Sequence, residues 1–307
     1  MGALTDIRVY LTQAHACGYW PGREARDLVL DPQEPALAAV YEPALALGFR
    51  RSGRHVYRPH CSSCSACLPI RLPVARFHPD RTQRRIAKRN ADLVMAVGPA
   101  RHSDEVFDLY ARYLGARHPD SPMADPTPEE FAQFLIGDWS PTRFFEWRLE
   151  GRLVAVAVTD VTANALSAVY TFFDPAFENR SLGTQAILGQ IGWAAATARP
   201  HLYLGFWLKG HPKMDYKRRF QPLERLWNGH WIAFEEDRER GISSAPRARR
   251  GAPPRGWAAA RGCRPWLIRP KRSASRRTTF RCTPNWRTAF ARVWPMATMP
   301  RRGTSRR

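Results

Sequence analysis

Four cysteines in the first quarter of the chain are the residues best suited to hold a metal. Cys61, Cys64 and Cys67 follow one another with C-x2-C-x2-C spacing, and Cys17 lies far upstream. Four thiolates suit a tetrahedral zinc site or an iron–sulfur cluster. Zinc sites usually combine two separated pairs, so reduced cysteines in a tight loop are the alternative. The sequence predicts a metal site here and leaves zinc or a cluster open.

A second group of candidate residues is basic. Five Lys or Arg residues lie between positions 79 and 89, and Lys213 to Phe220 interleaves cations with aromatic rings. Arginine binds carboxylates and phosphates through its planar guanidinium, whereas cations beside aromatic rings can follow a nucleic-acid backbone and stack a base. The alternatives are a solvated helix face for the first segment and a core-facing pair, Tyr216 and Phe220, for the second.

The stretch from Leu166 to Thr184 combines a strand, a loop and a helix start. Val, Tyr, Thr and Phe residues form the strand, and Asp174 followed by proline ends it. A helix then runs from Leu182 to Ala198. The free backbone N–H groups at its first turn can receive an anionic group, so the stretch predicts a site for a phosphate-bearing substrate. The alternative is an ordinary strand-to-helix junction.

The elements that would position these residues alternate in an α+β order. The apolar periodicity, caps and turn residues predict the following elements. They are helices over 35–47, 79–90, 103–114, 127–136, 182–198 and 212–220, a hairpin over 49–57, and strands over 7–11, 68–74, 142–149, 153–161, 166–173, 201–206, 223–226 and 231–234. We expect an N-terminal module with the cysteines over 1–100 and a second domain over 101–240.

The order of elements in the second domain is similar to that of acetyltransferase-like (GNAT-type) N-acyltransferases. Those folds bind a pyrophosphate through an R-x-x-G-x-G/A turn. Here Arg180-Ser-Leu-Gly183-Thr-Gln185 keeps the arginine and one glycine, but Gln185 replaces the last small residue. We therefore expect the fold without coenzyme A as its ligand.

The formal charge of +21 is concentrated in residues 241–307, which contain 18 Lys or Arg and no Asp or Glu. This segment lacks the periodicity of a packed element, so we expect it to be disordered. It is either an RNA-binding arm or the product of a frameshift in a GC-rich gene. No apolar run reaches the ~20 residues of a membrane span, and no secretory signal is visible. We therefore expect a cytoplasmic protein with no membrane partner and reduced cysteines.

Several segments together resemble a known family. They are CGYWPGREA from Cys17, HCSSCSACLPIRLPV from His60, LSAVYTFFDP from Leu166, RSLGTQAILGQI from Arg180 and PKMDYKRRFQPLE from Pro212. Over about residues 5–236 the chain resembles the aminoacyl-tRNA–protein transferases, and among them the bacterial type that moves leucine from leucyl-tRNA to proteins with N-terminal Asp or Glu. Relatives that transfer arginine bind an iron–sulfur cluster, but Trp20 replaces one of their cysteines here, and His211 stands where a cysteine is common.

The resemblance implies an amine attacking an already activated ester, so no further cofactor is required for transfer. Asp174, Glu146, Tyr170 and Thr171 are the expected reaction-centre residues, with Asp174 or Glu146 accepting the proton. The tRNA 3′ end is expected to be held by Arg180, Ser181, Leu182, Gly183, Thr184, Lys213, Tyr216 and Lys217. The acidic side chain of the acceptor is expected at Arg81, Gln83 and Arg84. The alternatives are an arginyl-tRNA–protein transferase and a non-catalytic RNA-binding protein.

Overall fold

The computed structural model describes residues 7–117, 119 and 124–234, and these form fourteen strands and five α-helices. The helices are α1 (Leu37–Ala46), α2 (Arg81–Arg89), α3 (Asp104–Arg117), α4 (Pro128–Leu135) and α5 (Leu182–Ala196). The strands are β1 (Val9–Leu11), β2 (His15–Ala16), β3 (Glu24–Ala25), β4 (Asp27–Leu30), β5 (Arg50–Ser52), β6 (His55–Pro59), β7 (Leu68–Pro73), β8 (Val94–Pro99), β9 (Thr142–Leu149), β10 (Arg152–Val161), β11 (Ala165–Phe173), β12 (His201–Trp207), β13 (Glu224–Trp227) and β14 (His230–Ala233).

An eight-stranded sheet organises the fold, in the order β14-β13-β7-β12-β11-β10-β9-β8. All its neighbours are antiparallel except β11 and β12. The α+β class is thereby confirmed, with one large sheet. Strands β7 and β8 come from before residue 100 and lie in the same sheet as strands from after it, so the two predicted modules share this sheet. Their boundary at residue 100 stays a prediction.

Helices cover both faces of the large sheet. The face toward α5 buries Phe145 and Trp147 of β9 against Ile187 and Ile191 of the helix. The opposite face buries side chains of β9, β10 and β11 against α3 and α4, where Phe131 has no exposed surface. Alternating residues of a strand point to opposite faces, so adjacent residues such as Phe144 and Phe145 belong to different apolar clusters.

A buried ion pair joins the N-terminal strands to the large sheet. Arg51 of β5 donates from Nε and Nη2 to the two carboxylate oxygens of Asp160 in β10, at 2.8 and 2.9 Å, and both side chains are fully buried. The hydroxyls of Tyr41 and Thr142 donate to the same carboxylate at 2.6 and 2.7 Å. Burial alone would raise the pKa of Asp160, but the guanidinium and these hydrogen bonds lower it. The carboxylate therefore remains charged in the core.

The smaller sheets lie in the first sixty residues. One has four strands in the order β1-β4-β6-β5, and the other is the pair β2 and β3. Helix α1 buries Leu37, Tyr41 and Leu45 beside the four-stranded sheet and against Tyr203 of β12. α1, the four-stranded sheet and β12 of the large sheet therefore share one apolar cluster.

Most predicted elements are confirmed within a few residues, but one prediction is wrong. The helix expected over 212–220 is a single 3-10 turn, Asp215–Arg219. Asp215 accepts hydrogen bonds from Trp207 Nε1 and from the Gly210 backbone at 3.2 and 3.3 Å, which fixes the turn locally instead of extending it as a helix. Strands β2, β3, β4 and β8 were not predicted. The basic segment 241–307 lies outside the described residues.

Candidate active site

The large sheet opens between its two central strands. β11 and β12 pair in parallel only where Ala165–Ser167 faces His201–Tyr203. Beyond this point β11 continues to Phe173 against β10, and β12 continues to Trp207 against β7. The two strands therefore diverge, and the backbone groups that line the opening need partners other than each other.

Arg50 fills the start of this opening. Its Nη2 donates to the carbonyl of Ala168 in β11 at 2.7 Å. On the other side the guanidinium lies against Gly205 of β12, where a Cβ atom would overlap its nitrogen and carbon atoms. Gly205 has a φ of +80°, a conformation that L side chains rarely adopt. Glycine at position 205 therefore allows both the positive φ and the close approach of the guanidinium. Arg50 lies between β11 and β12 where the two strands diverge.

Lys217 occupies the same opening from the side of the 3-10 turn. Its Nζ donates to the carbonyl of Phe206 in β12 at 2.7 Å, and the residue is only 9% exposed. Burial, with a smaller contribution from the charge of Arg50, lowers the pKa of Lys217 to about 7. At neutral pH this amine is divided between its charged and neutral forms, whereas an ordinary lysine is fully charged.

A cavity of about 290 Å³ lies between the start of α2, the first turn of α5 and the 3-10 turn. It is lined by Asp80, Thr82, Gln83, Ile86, Thr184, Tyr216, Arg219 and Phe220. The structure thus brings together three predicted site residues, Gln83, Thr184 and Tyr216. Tyr216 is 42% exposed and offers an aromatic surface at the cavity.

Both polar atoms of the Gln83 amide form hydrogen bonds within the structure. It accepts from the backbone N–H of Asp80 at 2.8 Å, within the capping box of α2, and donates to the carbonyl of Arg219 at 2.9 Å. The residue is buried. Arg81 and Arg84, the other two residues expected to read the acceptor, are exposed on the same helix. The acceptor role of the three residues stays a prediction.

Residues at the end of α2 and just after it form hydrogen bonds with the turn that precedes α5. Arg180 donates to both carboxylate oxygens of Asp92 at 2.8 and 2.9 Å, and its carbonyl accepts from Asn90 Nδ2 at 2.9 Å. Ser181 adopts a left-handed conformation, with φ of 55°, and Leu182 begins the helix. A Cβ atom at Gly183 would make only an ordinary contact with Phe173. The turn is therefore well positioned, but the charge of Arg180 is already paired.

The four residues expected at the reaction centre lie outside the cavity lining. Asp174 is buried, and its carboxylate accepts from the backbone N–H of Ala176 at 3.0 Å and from Arg152 at 2.5 Å. Burial acts to raise the pKa of Asp174, but these bonds and the charge of Arg112 lower it. Glu146 pairs with Arg148 at 3.2 Å.

Tyr170 and Thr171 are neighbours on β11 and therefore face opposite sides of the sheet. Tyr170 lies on the side of α3 and α4, with its ring 5.3 Å from that of Phe134. The structure thus does not bring these two residues and the two carboxylates to one point. Their catalytic roles stay predictions.

Comparison with known proteins identifies the family. Two family models match the chain, "Arginine-tRNA-protein transferase, N terminus" over residues 15–85 and "Arginine-tRNA-protein transferase, C terminus" over residues 105–227. The chain belongs to this family. The resemblance found in the sequence is therefore confirmed, and the chain is an aminoacyl-tRNA–protein transferase and so an acyltransferase.

Individual members of the family are similar along almost their whole length. A protein named aspartate/glutamate leucyltransferase from Stenotrophomonas maltophilia (strain K279a) is 56% identical over 238 residues, 76% of this chain and 95% of that protein. Those from Xylella fastidiosa (strain 9a5c) and Pseudomonas fluorescens (strain SBW25) are 54% and 50% identical, covering 75% and 76% of this chain and 92% and 100% of theirs. The crystal structure of FemX has a TM-score of 0.40 at 9% identity, covering 70% of this chain and 84% of that one, which is too distant to inform the site.

The four cysteines predicted as metal ligands are in a common neighbourhood. Burial raises the pKa of Cys67 to about 12, and the nearby thiols of Cys17, Cys61 and Cys64 contribute. All four are free cysteines. Over residues 7–117, 119 and 124–234, however, no group of three or more His, Cys, Asp or Glu side chains is arranged to hold a metal ion. Metal binding by the four cysteines stays a prediction.

His211 connects the cysteine loop with the Lys213–Lys217 segment. Its Nδ1 accepts from the backbone N–H of Lys213 at 3.2 Å, so Nε2 carries the proton and donates to the carbonyl of Tyr19 at 3.1 Å. Its ring also packs edge-on against Trp20, with centroids 5.1 Å apart. The histidine and the tryptophan that depart from the related pattern therefore contact each other.

Sequence reasoning missed Arg50 and Gly205, which shape the opening in the sheet. The available signal was a glycine inside an apolar strand, which often marks a bulge or the close approach of another group. β12 does have a register shift between Tyr203 and Gly205. In the part of the chain that the structure describes, no helix is long and apolar enough to cross a membrane.

Proposed function

We propose that this chain transfers leucine from leucyl-tRNA to the α-amino group of proteins that begin with Asp or Glu. The observation that carries the proposal is the 50–56% identity, over nearly their whole length, to proteins named aspartate/glutamate leucyltransferase. The family supplies the class of donor, an aminoacyl-tRNA. We place the reaction in the cytoplasm, where both charged tRNA and newly made proteins are present.

The second half of the chain is, in this proposal, an acetyltransferase-like N-acyltransferase domain. The divergence of β11 and β12 beyond Ser167 and Tyr203 supports it, because an opening between parallel strands gives an acyl group and an amine access to the centre of a sheet. α5 follows β11, and Thr184 in its first turn lines the cavity.

The donor end of the site is the 290 Å³ cavity. Its exposed aromatic ring, Tyr216, is suited to stack the terminal adenine of the tRNA, since stacking contributes roughly 1–3 kcal/mol per base. Thr184 and the first turn of α5 face the adjoining phosphate, and the exposed Lys213 lies two residues from the turn that carries the tyrosine. The leucyl ester then lies toward the opening between β11 and β12.

The chemistry needs little beyond positioning. The leucyl ester is already activated, so no nucleotide is hydrolysed. The α-amine of the acceptor has an ordinary pKa of about 7.7–8.0 and loses its proton easily near neutral pH. The amine nitrogen forms the new C–N bond as the bond from the carbonyl carbon to the tRNA 3′ oxygen breaks, and that oxygen takes up a proton. Holding ester and amine side by side supplies much of the rate.

Lys217 is our candidate for moving the proton. A group whose pKa is near the working pH is an efficient acid–base catalyst, and the pKa of Lys217 is lowered to about 7 at the edge of the opening. Asp174 is a weaker base, since its pKa is lowered and its carboxylate is engaged by Arg152. We assign Asp174 the task of fixing the loop between β11 and α5, where it accepts from Ala176.

A transfer assay tests the function. Leucyl-tRNA with labelled leucine is incubated with the full chain and matched peptides that begin with Asp, Glu or Ala. We expect label in the Asp and Glu peptides and none in the Ala peptide. Arginyl-tRNA with the same peptides gives the comparison for the donor. Equal labelling of all three peptides, or transfer of arginine in preference to leucine, would refute the proposal.

A further inference from the structure

Helix α2 presents an unusual row of cations. Arg81, Arg84, Arg85, Lys88 and Arg89 are all exposed, whereas Gln83, Ile86 and Asn90 form its buried stripe. Over residues 7–117, 119 and 124–234, none of the five cations forms an ion pair with a carboxylate. Arg84 and Arg89 instead donate to the backbone carbonyls of Pro79 and Asn179. The helix contains no acidic residue.

This arrangement opposes the stability of the helix. Like charges three or four residues apart repel each other, as Arg81 and Arg85 do. Arg81 in the first turn also opposes the helix dipole, which favours negative charge there, whereas Lys88 and Arg89 in the last turn are favoured by it. The capping box of Asp80 and Gln83 offsets part of this cost. A row of charges that is locally unfavourable and unpaired indicates an anionic partner outside the chain.

The position of the row identifies the class of partner. The first turn of α2 lines the cavity that we assign to the terminal adenosine, and α2 packs along α5. The nine residues of α2 carry cations over about 12 Å at 1.5 Å per residue. A single carboxylate engages one guanidinium and leaves the rest unpaired, whereas a nucleic-acid strand offers a row of phosphates.

We propose that the exposed face of α2 binds the phosphate backbone of the tRNA acceptor arm, directly behind the 3′ end held in the cavity. This inference rests on the proposed function. In this proposal Arg81 and Arg84 bind the tRNA that donates leucine, and they do not bind the acidic side chain of the acceptor protein. The third residue expected to bind that side chain, Gln83, already forms two hydrogen bonds through its amide within the structure. The contacts are made to phosphates and carry no sequence information.

The test removes three charges that have no hydrogen-bond or ion-pair role in the described structure. Arg81→Gln, Arg85→Gln and Lys88→Gln are combined in the full chain, and glutamine preserves helix propensity. At 0.15 M salt each lost phosphate contact lowers affinity about fivefold, from a slope of roughly −0.9 in log K against log salt per contact. We expect the triple variant to bind leucyl-tRNA about 100-fold more weakly, with a salt slope smaller by about 2–3.

The matched control removes the same charge elsewhere. Arg54, Arg101 and Arg143 are exposed residues outside α2. Arg54 lies 3.5 Å from the carboxylate of Asp138, in an exposed ion pair that contributes little to stability. Changing all three to Gln should leave the salt slope unchanged. Both variants keep the basic segment 241–307, so its binding cancels in the comparison. Unchanged tRNA affinity in the α2 variant would overturn the inference, and so would a raised KM for an Asp-starting peptide with unchanged tRNA binding. Absence of leucyl transfer by the unaltered chain would refute the function separately, since tRNA binding is measured without transfer.

Discussion

Replacing Lys217 with methionine should stabilise the fold and impair transfer. The native pKa of about 7 lies well below the unfolded value of 10.5, so the native state binds fewer protons between these limits. The free energy of unfolding of the wild type therefore rises as the pH increases from about 7 to 10.5. Below about pH 7 the charged, buried amine of Lys217 destabilises the native state to its full extent; we call this destabilisation the penalty. At ~1.4 kcal/mol per pKa unit, the penalty of the buried amine is about 2–3 kcal/mol larger at pH 6 than at pH 9. Methionine carries no such penalty.

Urea unfolding of wild type and Lys217→Met at both pH values checks this. The lost hydrogen bond to the carbonyl of Phe206 changes stability equally at both, so it cancels in the difference. We expect the gain from the substitution to be about 2–3 kcal/mol greater at pH 6. Lys213→Met, on an exposed side chain of the same motif, should show no such pH dependence. A gain that is equal at both pH values would refute the argument, as would wild-type transfer rates in Lys217→Met.

Three further changes test other parts of the structure. Asp160→Ala leaves Arg51 charged and buried, and should cost about 3–5 kcal/mol in urea unfolding at pH 7; a loss below about 1 kcal/mol would contradict this. Gly205→Ala should lower the unfolding midpoint and the transfer rate more than Gly210→Ala does. Both glycines have positive φ, but only a Cβ atom at position 205 would overlap the guanidinium of Arg50. Equal effects of the two substitutions would contradict the contact between Arg50 and Gly205 as the cause. In chelator-treated protein at pH 8, alkylation of Cys67 should be on the order of 1000-fold slower than that of a free thiol, because burial raises its pKa to about 12; alkylation at the free-thiol rate would contradict it.

Local signals predicted most of the helices and strands. Thr127 followed by Pro128 and two glutamates marks the start of α4, and the structure shows the complete capping box there. The hairpin links near Gly151 and Asn164 likewise joined β9, β10 and β11 in the predicted order. β8 escaped prediction because its pairing with β9 brings together residues far apart in the sequence. Periodicity reports the environment of a segment but does not identify its partner strand.

The site was less predictable because it depends on long-range contacts. Tyr216 and Thr184 could be chosen from local composition, and the structure places both at one cavity. The role of Arg50 requires knowing that β5 lies beside the gap between β11 and β12, which no window of sequence reveals. Conversely, Gln83 looked available for a ligand because its two internal hydrogen bonds, one of them to Arg219, were not visible.

The place of β7 in the large sheet has a consequence for the synthesis of the chain. Leu68–Pro73 lies between β12 and β13, which end at Trp207 and Trp227. While the ribosome makes the residues in between, β7 has neither neighbour, and its backbone donors and acceptors form an open edge that other chains can pair with. A polypeptide released before Trp207 would keep that edge exposed. Products of premature termination should therefore aggregate and require chaperones, although the finished protein closes the edge on both sides.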